Sequence, residues 1–292
     1  MADFVHVPDP QAGPNGTGRI RYDLRRPAPR SGTASPPLVL LGGMTQTVSS
    51  WGGQLRPLSA TRTVVAYETR GQGGTELSLG DVSLARQVED AASFIAALDL
   101  PGPVDLCGFS FGGRVALAIA AHRPDLVRRL VLSGVARGRT VLARCILGGW
   151  AAALTTGSLE ALARVSMADI VGTEYLEAHA GLVEPMVKAV VQRNSYAGIA
   201  ALFRDVMQTD KAPQPEAGAQ GWDNATLAAA VQCPALVMGG EGDRLAAPAE
   251  VAALAEAMGA VHKTFSPAGH TIPIEAAGPW REAVVDFLDA SR

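Results

Sequence analysis

The sequence predicts a doubly wound α/β fold: a mostly parallel sheet of about eight strands, interrupted by an inserted helical cap. Three observations carry this expectation. Short apolar runs alternate with helical periodicities from Leu38 to Val135, and again from Pro234 to Leu288. Between those stretches, from about Gly138 to Gln232, the alternation stops and the patterns are helical. Several apolar runs end in glycine-rich loops that hold the chain's chemically able side chains. The core is therefore expected over residues 1–137 and 233–292, with the cap over 138–232. A separate helical domain is the alternative for that middle stretch. In open sheets of this kind a ligand sits at the carboxyl ends of the strands.

A chain of 292 residues suits one large α/β domain or two small ones. The net charge is −3, with no basic cluster beyond Arg25, Arg26 and Arg30, so no nucleic-acid partner is expected. The three cysteines, Cys107, Cys145 and Cys233, are odd in number and widely spaced. That argues against a disulfide framework and suits a reducing compartment. Met1 to His6 lacks a basic region followed by an apolar run, and no apolar stretch reaches membrane-spanning length. A cytoplasmic protein without a membrane partner is the expectation.

Phe4–Val7 and Gly18–Leu24 read as two short strands joined by a turn within 13–18, and Pro27–Pro37 as a polar, Pro-rich loop. Pro37–Leu41 is continuously apolar, as in a strand covered on both faces, and ends in Gly42-Gly43-Met44-Thr45-Gln46. A short helix with Trp51 and Leu55 follows, then the strand Thr63–Tyr67 and the glycine-rich loop Glu68–Thr75. Ser83–Leu98 is an amphipathic helix, with Leu84, Val88, Ala91, Ala92 and Ile95 opposite Arg86, Glu89 and Asp90. Val127–Val135 is the next strand. Cap helices are expected over Thr140–Leu154, Ser158–Ile170, Leu182–Arg193 and Tyr196–Met207, followed by a loop, Lys211–Gly221. Asp223 or Asn224 caps a helix over Ala225–Val231. Strands Pro234–Met238 and Val261–Phe265 flank the helix Ala247–Met258, and Pro273–Leu288 closes the pattern.

The stretch from Val104 to Ala121 reads as a buried strand, a tight turn and an alanine-rich helix, with Ser110 in a G-x-S-x-G pattern. In a nucleophile elbow this serine sits on a strained strand-to-helix turn with its hydroxyl exposed. A side chain at Gly108 or Gly112 would collide with neighbouring backbone at so sharp a bend. The amide of Phe111, at the helix N-terminus, would face a developing oxyanion. The bland alternative is a turn in which Ser110 only caps the helix. Asp243 lies in a glycine-rich loop after a buried strand, with Glu241 as a rival acid, and His270 lies in a glycine-bounded loop after the last strand. His6, His122, His179 and His262 read as surface or local structural groups. The order Ser, Asp, His is the one the elbow motif requires. His270 would take the Ser110 proton, Asp243 would fix the imidazole tautomer, and Ser110 would attack a carbonyl. No two histidines share a metal-ligand spacing, so neither metal nor cofactor is expected.

Several of these motifs recur in one order: Leu41-Gly42-Gly43-Met44 with Trp51 downstream, Arg70-Gly71-Gln72-Gly73, Gly108 to Gly113, Gly242-Asp243, and Gly269-His270 followed by Pro273 and Glu275. Together they resemble the α/β-hydrolase superfamily, in its branch with a helical cap, over nearly all of the chain outside the cap interior. The resemblance implies a second oxyanion donor, the backbone amide of Met44. Gly42 stands where many relatives carry His, and Glu68 where Asp often opens the loop; both reshape loops without removing a catalytic group. Ser110, where epoxide- or halide-processing relatives carry Asp, implies acyl chemistry. Three reactions fit: hydrolysis of an ester or thioester, hydrolysis of a C–C bond beside a carbonyl, or a lyase using the same three side chains. Ester hydrolysis, the commonest activity of the family, is the first expectation, and a small-molecule receptor is the non-enzymatic alternative. Gly43, Trp150, Met167, Met186, Tyr196 and Phe203 are candidate contacts for a small-molecule substrate, and an apolar lid favours an apolar acyl or alcohol group. Two of Arg164, Arg193 and Arg204 converging on the cleft would favour an acidic substrate. The oligomeric state is not readable from the sequence.

Overall fold

The run Leu38–Leu41 is apolar at every position because its strand is covered on both faces. Val39 and Leu41 pack into one apolar cluster, Leu38 and Leu40 into another. The computed structural model describes residues 2–12, 16–28, 35–209 and 221–290. The loop expected at Lys211–Gly221 lies outside the described residues except for Gly221, and the expected turn within 13–18 and loop at Pro27–Pro37 are described only in part.

The strands are β1 (Asp3–Pro8), β2 (Thr17–Arg25), β3 (Ser35–Leu41), β4 (Arg62–Tyr67), β5 (Val104–Phe109), β6 (Val127–Ser133), β7 (Ala235–Gly240) and β8 (Val261–Phe265). They form one eight-stranded sheet in the order β1-β2-β4-β3-β5-β6-β7-β8. β1 and β2 pair antiparallel, β2 joins β4 antiparallel, and every other pair is parallel. The chain steps from β3 outward to β4, then crosses back over β3 to β5. The strand order therefore reverses beside β3, and the crevice at the carboxyl ends of β3 and β5 is the topological switch point.

Before the middle of the chain the helices are α1 (Gly52–Leu58), α2 (Leu84–Ala97) and α3 (Phe111–His122). Between β6 and β7 come α4 (Val141–Leu154), α5 (Leu159–Ile170), α6 (Thr173–Ala178), α7 (Val183–Arg193), α8 (Tyr196–Thr209) and α9 (Asn224–Ala230). α10 (Pro248–Met258), α11 (Ile272–Glu275) and α12 (Ala277–Asp289) complete the fold. α2, α3, α9 and α10 cover one face of the sheet, while α1 and α12 cover the other. Asp223, rather than Asn224, caps α9 by accepting from the amides of Ala225 and Thr226.

Two elements differ from the expectation. α6 is six residues long, too short to leave a readable periodicity. The helix expected over Pro273–Leu288 is two helices, broken at Ala276 (φ −118°, ψ 40°). The Glu275 carboxylate explains the break. It accepts from the amides of Gly172, Gly269 and Thr271 and from the Thr271 hydroxyl, which pins α11 to the loop before it.

The inserted helices have apolar clusters of their own. One joins Trp150, Leu162, Ile199 and Phe203, and Met44 and Leu245 from the core loops pack against it. The other gathers Ala163, Met167, Val171 and Val187. No helix among the described residues is long and apolar enough to cross a membrane.

A buried ion network ties the N-terminal hairpin to the sheet. Arg70 donates from Nε and Nη2 to the two oxygens of Asp90, at 2.7 and 2.8 Å, and from Nη1 to Asp9 at 3.2 Å. All three side chains are at most 2% exposed. Removing one partner of such a pair strands a buried charge. Asp90→Ala should lower the unfolding free energy by about 3 kcal/mol or more. Arg19→Ala, which breaks the exposed pair with Glu76, should cost under about 1 kcal/mol. Chemical denaturation of both variants checks this; equal midpoints would refute it.

Candidate active site

Ser110 sits at φ 52°, ψ −116°, a left-handed conformation that L-residues rarely adopt. Its neighbours hold it there. A Cβ on Gly108 would lie 2.5 Å from the Gly112 carbonyl oxygen, and one on Gly112 would lie 2.4 Å from the Gly42 carbonyl oxygen. Only glycine lets β5, α3 and the end of β3 come together so closely. The Ser110 amide donates to the Ser133 carbonyl at 2.8 Å, and the Ser110 carbonyl accepts from the Arg114 amide at 2.9 Å.

Three loops bring their side chains to this serine. His270 Nε2 lies 2.9 Å from Ser110 Oγ, and His270 Nδ1 lies 2.7 Å from Asp243 Oδ2. Asp243 and His270 are both buried. Asp243 Oδ1 accepts from the amides of Leu245 and Ala246, each at 2.8 Å, which fixes the carboxylate. A carboxylate only accepts, so His270 carries its proton on Nδ1 and offers Nε2 to the serine hydroxyl. Glu241, the rival acid, is turned to the Ser266 hydroxyl instead. Cys107, three residues before Ser110, is fully buried, and burial pushes its thiol pKa up; it is a packing residue.

The loop after β3 lies over the serine. A Cβ on Gly43 would sit 2.9 Å from the Phe109 ring and 3.3 Å from Ser110 Cβ. Its shape depends on the side chains of Gln46, Gln72 and Glu68. Gln46 Oε1 accepts from the Gly43 amide at 2.9 Å, and Gln72 Oε1 accepts from the Thr45 amide at 2.6 Å. Glu68, where Asp often stands in relatives, accepts from the Val48 amide at 3.0 Å and from the Gly74 amide at 2.6 Å. Nothing in a linear pattern marks the Gln72–Thr45 and Glu68–Val48 contacts, because they join residues far apart in the chain.

Two cavities meet at Ser110 and His270. The smaller, of about 280 Å3, is lined by Gly43, Met44, Trp150, Met167 and Met186 among other, mostly apolar groups. The larger, of about 1080 Å3, takes in Met44, Phe111, Trp150 and Phe203. Tyr196 lines neither: its hydroxyl donates to the Leu154 carbonyl at 2.7 Å, tying α8 to the end of α4. The cap arginines do not converge. Arg164 pairs with Glu160 and Glu184 at the surface, and Arg204 lines neither cavity. Arg193 alone lines the smaller one. The larger cavity carries both signs of charge, Arg114, Arg139 and Arg144 against Asp205, Asp223 and Glu250. Burial lowers the Arg114 and Arg139 pKa values, that of Arg139 to about 10, and burial raises that of Asp205. Among the described residues no group of three or more His, Cys, Asp or Glu is placed to hold a metal ion.

The backbone strain at Ser110 is testable. Glycine adopts φ above zero without penalty, so Ser110→Gly should be more stable than Ser110→Ala by about 1 kcal/mol or more. Paired denaturant midpoints measure this, and equal values would rule out strain at the turn.

The sequence and the fold have known relatives. The sequence matches the Alpha/beta hydrolase family over residues 38–283. It is 30% identical over 208 residues to (E)-2-((N-methylformamido)methylene)succinate hydrolase of Acinetobacter baylyi, covering 71% of this chain and 72% of that one. Over 105 residues it is 43% identical to a 2-hydroxymuconate semialdehyde hydrolase of Pseudomonas putida, a match that spans 36% of this chain and 33% of the relative. The crystal structure of the enol-lactonase from Burkholderia xenovorans LB400 superposes with a TM-score of 0.78 at 26% identity, covering 94% of this chain and 97% of that one. Matched in sequence across most of its length and in fold across nearly all of it, the chain belongs to the alpha/beta hydrolase family.

Proposed function

We propose that this hydrolase is a serine esterase that cleaves a carboxylic ester of a small, largely apolar substrate through an acyl-enzyme. The observation that carries the reading is the relay Asp243–His270–Ser110, at 2.7 and 2.9 Å, opening on a mostly apolar cavity of about 280 Å3. Ser110 Oγ attacks the ester carbonyl carbon while His270 Nε2 takes the hydroxyl proton. The carbonyl oxygen becomes an oxyanion, held by the backbone amides of Phe111 and Met44. Collapse of the tetrahedral intermediate breaks the bond to the alkoxy oxygen, which leaves as alcohol with the proton from His270. Water then attacks the acyl-enzyme by the same path, releasing the carboxylic acid and restoring Ser110. Asp243 keeps the imidazole in the required tautomer throughout and stabilises its charged form.

Arg193 favours a second reading. It lines the smaller cavity, where no carboxylate side chain faces it, and among the described residues it makes no ion pair. A substrate bearing a carboxylate would find its counter-charge there. Relatives named for a succinate derivative and a muconate semialdehyde agree with this, and hydrolysis of a C–C bond beside a carbonyl would use the same three side chains.

Turnover of p-nitrophenyl butyrate by the wild-type protein, reduced about 10⁴-fold or more in Ser110→Ala, is the expected result. Equal turnover by the variant would remove Ser110 from the mechanism. Tight ligand binding without turnover would instead make the protein a receptor. For the second reading, Arg193→Met should raise KM about tenfold for an ester carrying a free carboxylate and leave KM for the neutral ester unchanged. Parallel shifts for both esters would exclude a charge-specific role.

A further inference from the structure

The inserted helices touch the loops that carry His270, Asp243 and Met44. The Ile170 carbonyl accepts from the amides of His270 and Thr271, at 2.9 and 3.1 Å. Asp169 pairs with Arg244, next to Asp243, at 3.3 Å. The third contact is made by Asn194, between α7 and α8, and it reaches the loop over Ser110. Asn194 Nδ2 donates to the Thr45 carbonyl at 2.9 Å, and Asn194 Oδ1 accepts from the Gly73 amide at 2.9 Å.

We infer that Asn194 is a positioning residue that aims the Met44 N–H at the reacting carbonyl oxygen. The inference rests on the esterase reading above. Residues 43–46 form a turn closed by the Gln46 amide donating to the Gly43 carbonyl at 3.0 Å. The third residue of that turn, Thr45, has φ 69°. Such a position suits glycine, and a β-branched residue there is held only by its surroundings. The surroundings are two side-chain amides. Gln72 takes the Thr45 N–H, and Asn194 takes the Thr45 carbonyl.

Peptide planarity carries the effect to Met44. The Thr45 carbonyl and the Gln46 N–H belong to one rigid unit, so fixing the carbonyl fixes the N–H that closes the turn. The Gly43 carbonyl that receives it shares a second rigid unit with the Met44 N–H. Asn194 thus sets the direction of that N–H without touching substrate; unlike Met44 and Thr45, it lines neither cavity. Packing holds it in place. A Cβ on Gly198, in the first turn of α8, would lie 2.2 Å from the Gly71 carbonyl oxygen, so α8 is seated directly on the loop that supplies Gln72 and Gly73.

The test uses the full-length protein, p-nitrophenyl butyrate, an aryl boronic acid that forms a tetrahedral adduct on a serine, and butyrate as product. Asn194→Ala should lose about ten- to a hundredfold in kcat with KM changed less than about twofold. Its boronate affinity should fall with kcat/KM while butyrate affinity stays constant. Asn194→Asp keeps the acceptor for Gly73 but loses the donor to Thr45, and should behave like the alanine variant. Gln72→Ala, which frees the same turn from its other side, should show the same pattern and keeps the test decisive if Asn194 variants fold poorly. Unchanged kcat, a rise in KM alone, or a fall in kcat without loss of boronate affinity would each overturn the assignment. Should wild type neither turn over the ester nor bind the boronate, the esterase reading itself fails, and the inference with it.

Discussion

Everything at the site depends on how closely the first turn of α3 approaches the end of β3. The carbonyl oxygen of Gly42 lies where a side chain on Gly112 would begin, at 2.4 Å from the position of its Cβ. That contact makes the elbow and the loop over it a single object. The turn at Ser110 and the loop's first residue, Gly42, are thereby fixed relative to each other by backbone packing. It also explains why the glycines cannot be exchanged: the two strands are neighbours in the sheet, and their carboxyl ends leave room for one helix start and one loop only.

The remaining parts are delivered to this fixed point from farther along the chain. Asp243 and His270 follow β7 and β8, on the far side of β6 from the serine. A Cβ on Gly240, the last residue of β7, would meet the Gly269 carbonyl at 1.9 Å, so the His270 loop folds directly over the strand that leads to Asp243. The inserted helices complete the frame. Their contacts through Ile170, Asp169 and Asn194 reach His270, the residue beside Asp243, and the loop over Ser110. An insertion that only covered the cleft would have no need to reach all three.

The sheet, and the meeting of Ser110, Asp243 and His270, were legible because each leaves a local mark. A strand buried on both faces reads as a continuous apolar run, and a close backbone approach reads as glycine. What was illegible is of a different kind. Trp150, Met167 and Met186 line the smaller cavity while Tyr196 does not, yet all four sit on helices with similar apolar spacing. Periodicity reports which face of a helix is buried, and not what it is buried against. Gln72 was visible as part of a motif but not as a partner of Thr45, and Asn194 leaves no mark at all, since a polar residue after a helix is equally ordinary as a cap or a turn. Glu275 was visible as part of a motif, but its four hydrogen bonds, and the helix break they impose, depend on Gly172 a hundred residues away.

Backbone strain gives the last step. Among the described residues three that are not glycine have positive φ: Thr45, Asp99 and Ser110. Aspartate tolerates that region, and Asp99 lies in the turn between α2 and β5. Thr45 and Ser110 have no such local excuse, and both line the same cavity. Each costs about 1–3 kcal/mol, against a typical domain stability of about 5–15 kcal/mol. Such a cost persists only where the surroundings over-determine the conformation. At Ser110 these are Gly108, Gly112 and the Ser133 carbonyl; at Thr45 they are Gln72 and Asn194. Strain in the turn at Ser110 is held by the sheet, but strain in the loop above it is held in part by the insertion. The site is therefore assembled from both the sheet and the inserted helices.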